Sequence, residues 1–178
     1  MKIAVSGAHR TGKTTLIEEL VALRPDFEVV DEPYWQLAEE GHAFAETPGI
    51  DDFELQLERS IESILGIEGE VVFDRCPLDL LAYLATHDDA DAFDVDRRLP
   101  RVEEAMQQLD LIVFVPIEEP DRIGPSDDDP WRRQVDEELQ ETVLNDRWGF
   151  GVPVIEVVGS PGERAIRAVA RIEEARGR

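Results

Sequence analysis

Cysteine, lysine and long apolar runs are scarce in this sequence. Cys76 is the single cysteine among 178 residues, so an intramolecular disulfide framework is excluded and a reducing compartment is expected. No apolar run approaches the ~20 residues needed to cross a bilayer. The first residues enter a strand pattern at once, where a targeting leader would carry a charged start and an apolar stretch. A cytoplasmic protein with no membrane partner is the expectation. Positive charge is also short: 18 Lys+Arg face 41 Asp+Glu, a formal net charge of −23. A surface that acidic repels nucleic acid and anionic membranes, which excludes both as general partners. It fits a salt-rich cytoplasm or a plain solubility device equally well. Only positions 2 and 13 carry lysine. Each is therefore worth locating.

Internal repeats and linker-like stretches are absent, and 42% hydrophobic with 33% charged residues is the composition of a globular chain able to bury a core. A single domain over residues 1–178 is expected. Apolar strand-like runs at 2–6, 27–30, 70–73, 111–115 and 154–158 alternate with helical patterns. The helical stretches are read at 13–23, 34–44, from Asp51-Asp52 onward, after Pro77, at 94–108, 130–148 and 163–175. Five strand–helix alternations predict an α/β fold: a parallel sheet with helices on both faces. Ligands of such sheets lie beyond the carboxyl ends of the strands. The polar residues at those ends are the candidates for function.

The first strand runs into Gly7-Ala8-His9-Arg10-Thr11-Gly12-Lys13-Thr14, the full G-x-x-x-x-G-K-[ST] pattern between a strand and a helix. Glycines let backbone N–H groups turn around an anion, and a helix N-terminus favours negative charge. Lys13 then supplies a point charge for the β- and γ-phosphates, and the Thr14 hydroxyl is suited to coordinate Mg²⁺. Thr15 is placed to donate near the α-phosphate. His9 and Arg10 either contact the γ-phosphate or acceptor, or face water.

The other strand ends add to this. Glu32 closes the second strand, where a carboxylate can take a proton from an attacking hydroxyl or anchor an acceptor; neighbouring Asp31 is the other candidate base, and a solvated turn the plain alternative. Asp74 ends an apolar strand as a Mg²⁺-holding carboxylate does, and Arg75 beside it is read as a bidentate phosphate binder or as half of a structural Asp–Arg pair. Cys76 is read as a small helix-entry residue. The loop at 118–133 carries Arg122, Arg132 and Arg133 among aspartates. Asp129-Pro130 opens a helix there, and arginines in its first turn oppose the helix dipole. They are read as a lid reaching over the triphosphate, the alternative being a solvated acidic loop. Gly159, in the turn after the last strand, is placed to wrap an adenine, with Arg164 near the ring. Tyr34, Trp35 and Phe44 are candidates for an aromatic wall.

These residues resemble the P-loop small-molecule kinases of the nucleoside and nucleotide kinase group. Gly7 through Thr14 matches their phosphate loop, Glu32-Pro33 with Trp35 resembles the Glu-Pro…Trp segment of deoxynucleoside kinases, and Asp74-Arg75 with the apolar helix after it is similar to the Asp-Arg segment of thymidylate and NadR-type ribosylnicotinamide kinases. The 122–133 segment looks like their lid. The resemblance implies a P-loop NTPase three-layer sandwich, with a five-stranded parallel sheet of order 2-3-1-4-5. It implies Mg²⁺-dependent transfer of the ATP γ-phosphate to a small-molecule acceptor, with Glu32 as base or acceptor carboxylate and Arg75 as acceptor-positioning arginine. Arg59 is the only arginine between Tyr34 and Gly69, which argues for a neutral hydroxyl acceptor such as a nucleoside or riboside over a nucleoside monophosphate. The alternatives are a monophosphate kinase, or a regulatory NTPase or ATP-binding protein without a small acceptor. An Asn-Lys-x-Asp guanine reader is absent, so GTP ranks low.

Overall fold

The computed structural model describes residues 1–120 and 129–177. β1 (Lys2–Ser6), β2 (Glu28–Val30), β3 (Val71–Asp74), β4 (Leu111–Phe114) and β5 (Val154–Glu156) form one sheet in the order β2-β3-β1-β4-β5. All the pairings are parallel. Parallel neighbours require crossovers, and helices supply them. α1 (Lys13–Leu23) joins β1 to β2, while α2 (Pro33–Glu39) and α3 (Ile50–Gly66) join β2 to β3. α4 (Pro77–Thr86) and α5 (Val95–Met106) lead to β4, α6 (Pro130–Leu139) lies between β4 and β5, and α7 (Pro161–Arg176) follows β5. This is the α/β architecture and strand order that the resemblance implied.

Side-chain alternation along β1 sorts the core into two layers. Ile3 and Val5 pack with Leu16, Leu20, Ala165 and Ala168 of α1 and α7. Ala4 falls on the other face, with Phe73, Ile112, Leu57, Leu80 and Met106. Central strands buried on both faces have no polar alternation, which is why β3 and β4 read as continuous apolar runs. Register places Val5 beside Asp74 and Ser6 beside Phe114. The tips of β1, β3 and β4 therefore share one edge.

Several helix limits differ from the periodic pattern. The helix expected over 34–44 ends at Glu39, because Gly41 adopts φ +95° and closes a Schellman turn, with Gly41 N–H donating to Ala38 O and His42 N–H to Leu37 O. α3 begins at Ile50, and Asp52 caps from inside the first turn by accepting from Gly49 N at 3.2 Å. The helix expected over 130–148 leaves α geometry after Leu139, makes a π turn at Gln140–Leu144 and stops. There Asp146, at φ +46°, accepts from Phe150 N and Gly151 N and turns the chain. Of the two lysines, Lys2 is buried, and its ammonium donates to Ile64 O at 2.7 Å in the last turn of α3, where a cation suits the helix dipole. It staples the fold. Lys13, the other, opens α1 and is also buried.

Candidate functional site

The loop between β1 and α1 is shaped by what surrounds it. Gly7 has φ +152°, and a Cβ on it would lie 2.4 Å from Val115 O, so no other residue fits against β4 there. Asp94, Asp129 and Ser160 cap α5, α6 and α7 with side-chain oxygens. α1 differs: its N-cap is Gly12, with no side-chain cap and no acid in the first turn. Its leading N–H groups are thus left for an external anion.

Lys13 lies under this loop, buried, with Nζ donating to Ala8 O at 2.8 Å. Burial, aided by the Arg75 charge, pulls its pKa down to about 8 against the pull of Asp74, Asp79 and Glu32. A phosphate would restore the missing counter-charge. Thr14 and Thr15 open α1 with exposed side chains. Thr14 Oγ1 donates to Asp74 Oδ2 at 3.4 Å, and the other carboxylate oxygen of Asp74 is buried without a hydrogen-bond partner. Burial raises the Asp74 pKa, with Glu32 and Asp79 adding to it, against the opposing charges of Lys13 and Arg75. A hydroxyl beside an orphaned carboxylate oxygen fits Mg²⁺. No group of three or more His, Cys, Asp or Glu able to hold a metal exists among the described residues. An ion here would take its remaining ligands from phosphate and water, as Mg²⁺ does.

Arg75 stands at the tip of β3 with φ +79°, a strained setting for a residue with a Cβ. Its guanidinium is buried and already engaged. Nε donates to Glu32 Oε1 at 2.6 Å, Nη1 to Gly7 O at 3.2 Å and Nη2 to Tyr83 Oη at 3.4 Å, with the guanidinium carbon 5.0 Å from the Tyr83 ring centre. The open phosphate fork read from the sequence is therefore occupied by the protein itself, with Glu32 as its ionic partner. Burial works to raise the Glu32 pKa, but Arg75 and Lys13 outweigh it and hold the carboxyl below its ordinary range.

Two residues that sequence reasoning passed over organise this region. Asp79, fully buried on α4, accepts from Gly7 N through Oδ1 and from Cys76 N through Oδ2, each at 3.0 Å. An acid three residues past Cys76 is a legible capping signal; its reach to Gly7, 72 residues away, is not. Cys76 also donates Sγ–H to Asp79 at 3.4 Å, and burial pushes its thiol pKa well up, as an inert helix-entry residue requires. Tyr83 Oη accepts from His9 N at 3.0 Å and lies 3.0 Å from His9 Nδ1. Burial lowers the His9 pKa. The bonds assign the neutral tautomer, with Nδ1 accepting from Tyr83 and Nε2–H donating to Asp129 at 3.0 Å. His9 thus ties the loop to the start of α6, and Arg10, at φ +57°, is exposed.

The arginines expected to reach over a nucleotide divide. Arg122 lies outside the described residues. Arg133 is exposed on α6. Arg132 is buried, with Nε and Nη2 donating to the carbonyls of His9 and Arg10 at 2.8 and 2.9 Å. It grips the back of the loop. Arg164, expected beside a base, is also buried; it donates to Thr11 O and to Glu118, each at 2.7 Å. Glu118 in turn accepts from Gly159 N at 2.6 Å, so that backbone donor is bound within the protein. Tyr34, Trp35 and Phe44 do assemble: Tyr34 stacks on Phe44 at 4.2 Å and meets Trp35 edge-on at 4.9 Å, with Trp35 exposed.

No curated protein matches the chain. Its fold matches solved P-loop nucleoside and nucleotide kinases. Deoxyadenosine kinase from M. mycoides aligns at TM-score 0.66 and 14% identity over 98% of this chain and 99% of that one. Thymidylate kinase from Candida albicans aligns at TM-score 0.64 and 14% identity over 98% and 92%. The NadR protein aligns at TM-score 0.66 and 18% identity, this chain spanning half of that longer one. No helix among the described residues is long and apolar enough to cross a membrane. With an uncapped helix start facing a glycine-bounded loop, a buried lysine beneath it and a β3 carboxylate beside its threonine, the match of the AAA domain model over residues 2–164 places the chain in the AAA domain family.

Proposed function

We propose that this protein is an ATP-dependent kinase that transfers the terminal phosphoryl group to a hydroxyl of a small metabolite, a nucleoside or nucleoside-like riboside being the class favoured. The observation that carries this reading is the convergence of Lys13, Thr14, Asp74 and the Glu32–Arg75 pair at neighbouring strand tips. Backbone N–H groups of Ala8, Arg10, Thr11 and Gly12 would enclose the β- and γ-phosphates, Gly7 and His9 would shape the loop with their own N–H groups held by Asp79 and Tyr83, and Lys13 would balance the phosphate charge. Thr14 and Asp74 would hold Mg²⁺, which when bound neutralises charge on the phosphate oxygens. Glu32 would hold the acceptor hydroxyl and take its proton late. A loose phosphoryl-transfer transition state demands little base strength early, so a carboxylate kept acidic by Arg75 is adequate.

Charge around the crevice supports a neutral acceptor. Arg59 pairs with Glu40, and Arg98 with Glu54 and Glu58, so each arginine stands beside carboxylates that would repel an acceptor phosphate. The name of one structural neighbour, deoxyadenosine kinase, supports a nucleoside acceptor, and that of thymidylate kinase supports phosphoryl transfer in general. A panel of nucleosides, ribosides and nucleoside monophosphates, assayed for acceptor-stimulated ADP release, tests the proposal. Turnover with a nucleoside or riboside is expected, with Glu32→Gln lowering kcat by ~10²–10⁴ and leaving ATP affinity nearly intact. Absence of acceptor-stimulated turnover in protein that still binds Mg-ATP would overturn it. The occupation of Glu32 by Arg75 favours a second reading, a regulatory NTPase with no small acceptor. It predicts hydrolysis that responds to a protein partner and ignores the whole panel.

A further inference from the structure

Five successive carbonyl groups of the phosphate loop are each met by a cation. Arg75 Nη1 reaches Gly7 O at 3.2 Å, and Lys13 Nζ reaches Ala8 O at 2.8 Å. Arg132 takes His9 O and Arg10 O at 2.8 and 2.9 Å, and Arg164 takes Thr11 O at 2.7 Å. These cations come from the tip of β3 and from α1, α6 and α7. In a planar trans peptide the C=O and the following N–H point in opposite directions. A cation on each carbonyl therefore sets the direction of the next N–H, and Arg164 on Thr11 O sets that of Gly12, the residue before Lys13.

Arg164 does more than hold one peptide. It is only 3% exposed, so it is not a surface group awaiting a ligand. Its second nitrogen donates to Glu118 Oε1, the same oxygen that accepts from Gly159 N. Glu118 follows β4 and Gly159 follows β5. The two segments flank a cavity of about 660 Å³ lined by Pro116, Ile117, Glu118, Val158 and Gly159. One guanidinium thus joins the phosphate loop to both segments.

We propose that Arg164 is a positioning residue of the phosphate loop: it fixes the Thr11–Gly12 peptide for anion binding and ties that setting to the segments after β4 and β5. This rests on the phosphate-binding reading above and names a residue that acts through the loop without touching the nucleotide. A fold staple and a positioning residue make different predictions. Loss of a staple lowers the melting temperature alone, whereas loss of a positioning residue weakens anion binding by protein that is still folded.

The experiment compares wild type, Arg164→Lys, Arg164→Met and the double variant Arg164→Met/Glu118→Gln by calorimetric titration with Mg-ATP and with inorganic tripolyphosphate. The double variant removes both members of the ion pair, so neither is left behind as an uncompensated buried charge. Circular dichroism confirms the folded state of each sample. Arg164→Met, alone or combined with Glu118→Gln, is expected to weaken both ligands by about 10- to 100-fold, the range for groups that orient a direct ligand. Arg164→Lys should recover most of that loss by renewing the bond to Thr11 O. Unchanged affinity in the folded double variant overturns the proposal, and so does an Arg164→Lys variant as weak as Arg164→Met. A wild type that binds neither ligand overturns the phosphate-binding reading itself, and the positioning role with it.

Discussion

Lys13 shows how a residue's surroundings prepare it for a ligand. Its folded pKa is depressed to about 8 from 10.5, chiefly by burial. Below pH 8 the folded protein carries a charge it solvates poorly; between about 8 and 10.5 the unfolded chain holds a proton the folded one has released. The Lys13 contribution to stability therefore improves as pH rises through that window. Ligand binding has the opposite sign, because a triphosphate needs the ammonium. Mg-ATP affinity measured by titration is expected to be level up to about pH 8. Above that it should fall by up to about tenfold per pH unit, since binding must then take up a proton. Lys13→Met should lose most of the affinity and the slope together; a slope that survives in this variant would place the titrating group elsewhere. Tyr83 serves the same loop from below. Tyr83→Phe strands the backbone N–H of His9 and removes the hydroxyl bonded to its Nδ1. A loss of about 1–3 kcal/mol in urea unfolding is expected.

At the scale of elements, the helix starts divide by purpose. α5, α6 and α7 are finished by their own side chains, while α1 is left open at the phosphate loop. α4 is joined to that loop by Asp79, which caps its own helix and receives Gly7 N–H. Asp79→Ala should cost about 2–4 kcal/mol, the sum of a lost cap and a stranded buried donor, and should lower the melting temperature accordingly. A loss below about 1 kcal/mol would show that water or a neighbour replaces the carboxylate. The limits of α1, β1 and α4 were legible, because a glycine, a lysine-threonine pair and a proline mark them locally. The early end of α2 was not. Its signal, Gly41 in a left-handed turn, lies among residues whose helical spacing suggested continuation.

For the whole molecule, the dominant quantity is a formal charge of −23. Bases already counted in that sum sit in ion pairs such as Arg98 with Glu54 and Glu58. With 41 acids against 18 bases, the acids outnumber the bases by more than two to one, and like-charge repulsion among them remains. Raising ionic strength from about 0.1 to 1 M shortens the screening length from ~10 to ~3 Å. That relieves the repulsion more than it weakens the pairs. The melting temperature in KCl is therefore expected to rise across that range; a flat or falling curve would mean that the surface pairs outweigh the repulsion.

Composition and pattern alone determined the layered α/β class and the position of the glycine-bounded loop after β1. Both depend on neighbours within a few residues: an unbroken apolar run buries a strand on both faces, and the residues from Gly7 to Gly12 build the loop between β1 and α1. Only the tertiary structure decided what each arginine does. Arg132 and Arg164 meet carbonyls 122 to 153 positions earlier in the chain, and Arg75 meets a carboxylate 43 positions away. A long guanidinium side chain can answer a phosphate, a carboxylate or a peptide oxygen equally well. The choice among them falls to whichever acceptor the packing of α6, α7 and the strand tips brings within hydrogen-bond reach.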